Sequence, residues 1–315
     1  MKIQFLIATI FCLTYTLNCS AQVRENIYYF KNSGAKVDNV DSADYVRVVK
    51  APEEGATLYD VAEYYKSEKV KFTGKSAKVE PLVYEGLCIS YYPNGKKKEI
   101  INYKAGNRDG DAYQYFKNGK IYLHRRYVDR NMLIMDCADS TGNVSVTEGN
   151  GNYVGYDDDF KKVTEQGEIK AGLKNGKWTG IANLGKIYLT YTEDYADGRL
   201  IVGKSTDESG EAFTYMQRLI QPSFKGGLAG FGRYLGDGIR YPQLARNRRE
   251  EGRVVVSFMV KTDGSLDGFK VIENPNQLMT DEAIRILKIS PKWEPGVFYG
   301  KIVPVWYTVP VAFRL

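Results

Sequence analysis

One stretch in the first half of the chain repeats itself, and that repeat narrows the choice of fold more than anything else in the sequence. Gly86-Leu87-Cys88-Ile89-Ser90-Tyr91-Tyr92-Pro93-Asn94-Gly95-Lys96 aligns with Gly110-Asp111-Ala112-Tyr113-Gln114-Tyr115-Phe116-Lys117-Asn118-Gly119-Lys120, an offset of 24 residues from 86 to 110. A period in this range marks a stacked array of one small supersecondary unit. Each unit reads as strand, Asn-Gly turn, strand, with Asn-Gly supplying the positive φ angles of a tight hairpin and a glycine such as Gly110 opening the next one. The punctuation fades and then returns in Asp139-Ser140-Thr141-Gly142-Asn143, Lys174-Asn175-Gly176-Lys177, Asp197-Gly198 and Asp207-Glu208-Ser209-Gly210-Glu211. The array is therefore expected to fill residues 81–215.

The tyrosine load agrees. The chain has 25 Tyr against 13 Phe, and a tyrosine suits a two-sided strand because its ring packs while its hydroxyl stays wet. Residues 22–80 are expected to be β-rich but carry no chemistry-bearing motif. Ile27–Phe30 and Tyr45–Val49 read as strands, and Asp60–Tyr65 as a short helix or a third strand. The net charge of +6 is spread rather than blocked. The basic runs Lys96–Lys98 and Arg246 with Arg248-Arg249, the latter followed by Glu250-Glu251, read as solvated surface, so no nucleic-acid partner is expected.

Lys2, the apolar run Ile3–Leu17 and the small residues Cys19-Ser20-Ala21 have the order of a secretory signal peptide. Residues 1–21 are assigned to it, with cleavage after Ala21; a lipid-anchored Cys19 and an uncleaved anchor are the alternatives. Cys88 and Cys137 then remain. Close to two periods separate them, which puts them on the order of 20 Å apart along a stack, beyond the roughly 7 Å that a disulfide bridges. Both read as small core residues.

The last hundred residues change in pattern. After an apolar segment, Leu228–Leu235, Pro242 sits well in the first turn of a helix running to about Glu250 and ended by Gly252. Val254, Val256, Phe258 and Val260 share one face of a strand. Thr262–Ser265 turns into a return strand, Leu266–Glu273. Thr280 is read as the cap of a second helix, with Asp281 and Glu282 in its first turn and Ala283, Ile286 and Leu287 on its inner stripe. Pro291 closes that helix, Trp293 reads as core, and Val303–Phe313 alternates as a last strand. The sum is a small α+β domain, residues 216–315, with two helices covering one face of a three-stranded antiparallel sheet. Pro304 and Pro310 share a parity, which makes one side of the last strand an edge and points the N–H groups of Trp306 and Thr308 outward.

Several pieces together are similar to the TonB C-terminal domain family: Pro222-Ser223-Phe224-Lys225-Gly226-Gly227, Tyr241-Pro242, Gly252–Val256, Asp263-Gly264, Pro291–Gly296 and Val311–Leu315. The region before it resembles MORN-type repeats of the antitoxin-like variety. The resemblance implies a β-rich multidomain protein: a β-hairpin repeat array followed by the α+β TonB C-terminal domain. It also implies a partner, an outer-membrane TonB-dependent receptor whose TonB box adds as a strand along Val305, Trp306, Tyr307, Thr308 and Val309, with Tyr241 and Pro242 as further contacts. The expected location is the periplasm or cell envelope. Inner-membrane motor proteins join the partners if the N-terminus is an uncleaved anchor, and a homodimer stays open.

The chain departs from the family in having no long proline-rich spacer and a single histidine, His124, read as a surface residue. One histidine and no nucleotide-binding or metal-ligand spacing argue against an enzyme, a cofactor or a metal. Two roles compete: a TonB-like component of transmembrane transport, and a non-energised envelope adaptor whose repeats and terminal domain both bind proteins.

Overall fold

The computed structural model describes residues 25–315, so the segment expected to be a signal peptide, residues 1–21, lies outside the described residues. Two compact units appear, one reaching Lys120 and including Arg126–Asn131, the other made of Ile121–Arg125 and Met132–Leu315.

The first unit is an antiparallel meander. Its strands are β1 (Glu25–Phe30), β2 (Lys36–Val37), β3 (Tyr45–Lys50), β4 (Tyr59–Tyr65), β5 (Val70–Ser76), β6 (Tyr84–Tyr91), β7 (Lys97–Lys104) and β8 (Asn107–Tyr115). β3 to β8 each pair with the next in sequence, and β1 pairs with both β2 and β3. The segment left open as helix or strand is thus strand β4. One face is packed: Val49, Val61, Cys88, Ile101 and Ala112 are all buried. Glu63 is buried there too, held by Arg47 (Nε to Oε1, 2.9 Å) and by Lys71 (Nζ to Oε2, 2.6 Å). Burial with an added bond from Glu63 leaves the Arg47 guanidinium more basic than usual, the bond outweighing the desolvation. Cys88 and Cys137 are both free and buried, and burial pushes the Cys88 thiol up to about 11.

The Asn-Gly turns differ from the expected geometry. Tyr92 N–H donates to Lys96 O and Gly95 N–H to Tyr92 O, and among Pro93, Asn94 and Gly95 only Gly95 has positive φ, at 84°. This is a type I turn closed by a glycine bulge rather than a two-residue mirror-image turn. Asn94 contributes through its side chain, which accepts from Lys96 N–H at 3.0 Å and donates to Lys117 O in the next turn at 3.0 Å. Lys96 Nζ reaches Asn118 O at 2.6 Å, and Tyr92 OH reaches Tyr115 O at 2.7 Å. The Asn-Gly-Lys signature therefore recurs because each turn ties itself to its successor. The opposite end uses true two-residue turns such as Ala105-Gly106, and Gly110 lies inside β8 instead of opening a hairpin.

β9 (Ile121–Val128) is divided between the units. The second unit continues with β10 (Asn131–Ala138), β11 (Val144–Thr147), β12 (Asn150–Tyr156), β13 (Val163–Lys170), β14 (Leu173–Leu184), β15 (Ile187–Ala196), β16 (Arg199–Asp207) and β17 (Ala212–Tyr215). From β10 onward each strand pairs with the next. Glycines inside these strands make room for rings on the next strand. A Cβ on Gly167 would lie 2.4 Å from the Trp178 ring, one on Gly180 2.5 Å from that of Tyr191, and one on Gly203 2.3 Å from that of Tyr215. Each ring so covers its neighbour's bare backbone. His124 is not a surface residue. Its side chain is 13% exposed, and Nδ1 lies 2.8 Å from Asp136 Oδ2.

The chain then forms β18 (Leu219–Ile220), α1 (Gly227–Gly238), α2 (Gln243–Asn247), β19 (Gly252–Val260), β20 (Leu266–Glu273), α3 (Gln277–Lys288), β21 (Gly296–Phe298), β22 (Lys301–Val303) and β23 (Val305–Phe313). The three-stranded sheet has the order β20-β19-β23, and β18, β21 and β22 make a second small sheet. There are three helices rather than two, because the apolar segment before Ile239 is helical. The helix after Pro242 stops at Asn247, and Gly252 opens β19 instead of ending the helix. The last helix starts a turn before the expected cap: Asn276 caps it, Oδ1 accepting from Met279 N–H at 2.9 Å. That shift puts Glu282 inside the helix. Its core is Phe224, Phe231, Val254, Val256, Phe258, Met279, Leu287, Val311 and Phe313 around Trp293, whose ring meets Phe224, Phe231, Phe258 and Tyr307 at 5.2–5.6 Å.

Candidate strand-binding edge of the terminal domain

β19 lies in the middle of its sheet, so β20 and β23 both have a free side. The two edges differ. β20 pairs with β19 through two register shifts and carries Asp267, Lys270 and Glu273, features that discourage further pairing. β23 runs in unbroken register over nine pairs, from Val260↔Val305 to Gly252↔Phe313. The strand begins at Val305 and not at Val303, because Pro304 separates it from β22.

Pro310 faces Val255 in that register and has no N–H to give, so this pair is one of the non-hydrogen-bonded pairs of an antiparallel ladder. By alternation Trp306, Thr308 and Ala312 also direct their backbone groups away from β19, while Val305, Tyr307 and Val309 bond to it. The side chains alternate as well. Val309, Val311 and Phe313 are buried, and Trp306, Thr308 and Pro310 are exposed. Of the five residues expected to form the edge, Trp306 and Thr308 thus present free backbone groups, and the other three anchor the strand from behind. The Trp306 indole, 44% exposed, does not project along the edge. It lies across the open face of the sheet toward Gly268, with Lys270 Nζ 4.5 Å from its centroid.

Beside the C-terminal half of β23 runs a groove of about 470 Å³, with Leu235, Ile239 and Tyr241 on one wall and Pro310, Ala312 and Phe313 on the other. Tyr241 is fixed there from three directions. Its hydroxyl donates to Glu250 O, its ring meets Phe313 edge-on at 5.9 Å, and Arg246 stands 5.5 Å above it. Glu282 fixes the backbone just before it, accepting from Arg240 N–H at 2.6 Å and from Arg285 at 2.7 Å. Burial raises the Glu282 carboxyl, but the Arg285 bonds outweigh it and hold the group below the usual range. Tyr241 is therefore brought to residues 310–313 rather than 305–309. Pro242 caps the short α2 and does not line the groove. Gly232 and Gly236, which keep the floor of the groove open, were missed in the sequence; their four-residue spacing on one helix face was the available signal.

No group of three or more His, Cys, Asp or Glu side chains among the described residues is placed to hold a metal. What the site offers is a row of unpaired backbone donors and acceptors beside an apolar groove with two arginines, Arg246 and Arg314, at its rim. An open sheet edge beside an apolar groove is the geometry to which an extended segment can add as a further strand.

Comparison with known proteins makes this more specific. Residues 237–315 match the Gram-negative bacterial TonB protein C-terminal domain, and residues 84–105 and 108–129 match the MORN repeat variant. The chain is 40% identical over 75 residues to Protein TonB of Pseudomonas aeruginosa, covering 24% of this chain and 22% of that relative. The chain thus carries a TonB C-terminal domain behind MORN repeats, and it spans about a fifth of the curated relative it matches.

Proposed function

We propose that this protein binds an outer-membrane TonB-dependent receptor in the cell envelope by adding an extended receptor segment to β23, and so takes part in transmembrane transport without catalysing a reaction. The observation that carries this reading is the open edge of β23, where Trp306 and Thr308 present backbone groups between Pro304 and Pro310 and next to the Tyr241 groove. The match to the TonB C-terminal domain supports it.

The test is to replace Trp306 and Thr308 by proline. Both positions face outward as Pro310 does, so pairing with β19 is kept while two donors are removed. Affinity for a synthetic peptide from the periplasmic N-terminus of a TonB-dependent receptor, read by calorimetry, should be lost. Unchanged affinity in a folded variant would refute strand addition here.

A second reading, an adaptor that transduces no energy, is favoured by one feature of the first unit. Ile27, Val48, Ala62, Thr73, Ile89, Ile100 and Tyr113 form one row across the strands on the outward face. A row this rich in apolar side chains, broken only by Thr73, suits a protein partner. N-terminal sequencing of the exported protein separates the two: a mature start at Gln22 would sink the energised reading and leave the adaptor.

A further inference from the structure

Tyr299 occupies a position that its side chain should avoid. It and Gly300 form the two-residue turn between β21 and β22, with φ of 49° and 84°. Glycine or asparagine is the ordinary choice there, and a bulky residue at positive φ is an outlier held by its surroundings. The surroundings here are the last strands of the repeat sheet. The Tyr299 ring lies 5.0 Å from Tyr191 and 5.3 Å from Tyr215, with the Arg218 guanidinium 5.3 Å above it. Its N–H donates to Arg218 O at 2.7 Å, and its carbonyl accepts from the buried Ser205 hydroxyl at 2.6 Å.

Arg218 is itself clamped. It gives Nε and Nη2 to the two oxygens of Glu193 at 2.8 and 2.5 Å. The Glu193 side chain is fully buried and also accepts from the hydroxyls of Tyr195 and Tyr215. Arg218 touches Glu165 as well, at 3.4 Å. Gly300 is pressed against β17, where an added Cβ would stand 2.8 Å from Phe213, and Lys301 pairs with Asp207. Nothing about strand addition requires this apparatus. What it does is hold the hairpin that leads, through Pro304, directly into Val305, the first residue of β23.

We infer that the last strands of the repeat sheet are a positioning element for the strand-binding edge: Tyr299, seated among Tyr191, Tyr215 and Arg218, sets where β23 begins. Tyr299, Arg218 and Ser205 are then positioning residues that act through Val305–Val309 without touching the incoming segment. The part concerning peptide affinity rests on the strand-addition reading above; the part concerning β23 itself does not.

The experiment uses the full chain with Tyr299→Asn, which suits the turn but removes the plug, and Tyr299→Phe, which keeps the ring. Hydrogen exchange in the free protein should show the bonded amides of Val305, Tyr307 and Val309 opening about tenfold more readily in Tyr299→Asn. Amides of Ala283, Ile286 and Leu287, which bond within α3 and not to β23, should stay within about twofold, as should every amide in Tyr299→Phe. Affinity for the receptor-derived peptide, measured well below the melting temperature, should fall about tenfold in Tyr299→Asn alone. If Tyr299→Asn does not fold, Ser205→Ala removes the bond to Tyr299 O and Lys301→Met removes the pairing with Asp207 and Glu211; each should give smaller changes confined to the same amides. Unchanged β23 exchange with a released hairpin overturns the inference, and so does an even rise through the whole terminal domain. If β23 exchange rises as expected but neither wild type nor variant binds the peptide, the positioning role stands and the strand-addition reading falls.

Discussion

The repeat strands and the terminal domain solve the problem of covering a sheet in opposite ways. In the terminal domain β19 and β23 turn Val254, Val256, Phe258, Val309, Val311 and Phe313 toward helices brought in from other parts of the chain, and Trp293 fills the centre. In the strands before that domain, neighbours lean on one another: Asn94, Lys96 and Tyr92 of the repeats reach the following turn, and further on Gly167, Gly180 and Gly203 each lodge the ring of the adjacent strand. One design concentrates its stability in a few non-local contacts, and the other spreads it along the chain. Damage should therefore be global in the first and local in the second.

The largest effect is expected where the terminal core is cut. Phe258→Ala leaves a cavity beside Trp293 and should cost about 3–5 kcal/mol; denaturant melts should show the terminal domain lost as a unit while the first meander keeps its transition. Next comes Gly180→Ala, which drives a methyl to within 2.5 Å of the Tyr191 ring. Displacing that ring and easing the Thr164 carbonyl, 2.6 Å from the same methyl, should cost roughly 1–3 kcal/mol, and hydrogen exchange should rise in β13, β14 and β15 but not in β19. A smaller effect is expected from Asn94→Ala, which removes two side-chain bonds, about 0.5–1.5 kcal/mol each, with faster exchange confined to the turns at 92–96 and 116–120. A global loss from Asn94→Ala would break the comparison.

The smallest expected effect is a pH response. Glu165 is buried beside Lys174 and Arg218, and although burial raises its carboxyl, Lys174 outweighs that and holds it below its ordinary value of 4.5. A depressed carboxyl stabilises the folded state above its unfolded pKa, and that contribution is lost as the pH falls through the folded value. Stability at β13 to β15 should thus be flat from pH 8 to 5 and decline below about 4.5. A Glu165→Gln variant should lack the acid step in a thermal-shift series.

The same contrast explains what the sequence revealed. In the repeats the turn residues are the signal, because neighbour-to-neighbour bonds place Asn, Gly and Lys at a fixed offset. That made the hairpins visible but misjudged the turn, since the type I turn with a glycine bulge and the mirror-image turn share the Asn-Gly pair. In the terminal domain the two-residue alternation of Val254–Val260 and Val305–Phe313 is imposed by a one-sided core, and the parity of Pro304 and Pro310 carried the edge. The helix ends were misplaced because Asn276 and Thr280 are equally good caps by residue type, and only the burial of Met279 and Thr280 decides between them. The Arg218–Glu193–Tyr299 cluster left no local trace. Its members come from β15, the segment between β17 and β18, and the β21–β22 turn, and no spacing in sequence relates them.

The turn-to-turn bonds have one more consequence. Tyr92, Asn94 and Lys96 reach the turn about two dozen residues ahead, as Tyr65 and Lys69 reach Tyr91 and Pro93 from the turn behind, so these ties run from one hairpin to the next. A chain built this way can gain or lose a 24-residue module between Lys104 and Asn107 and close up again with the same bonds. The array is in that sense a ruler graduated in hairpins, whose length can drift over generations while the residues at either end of it go on doing what they did before.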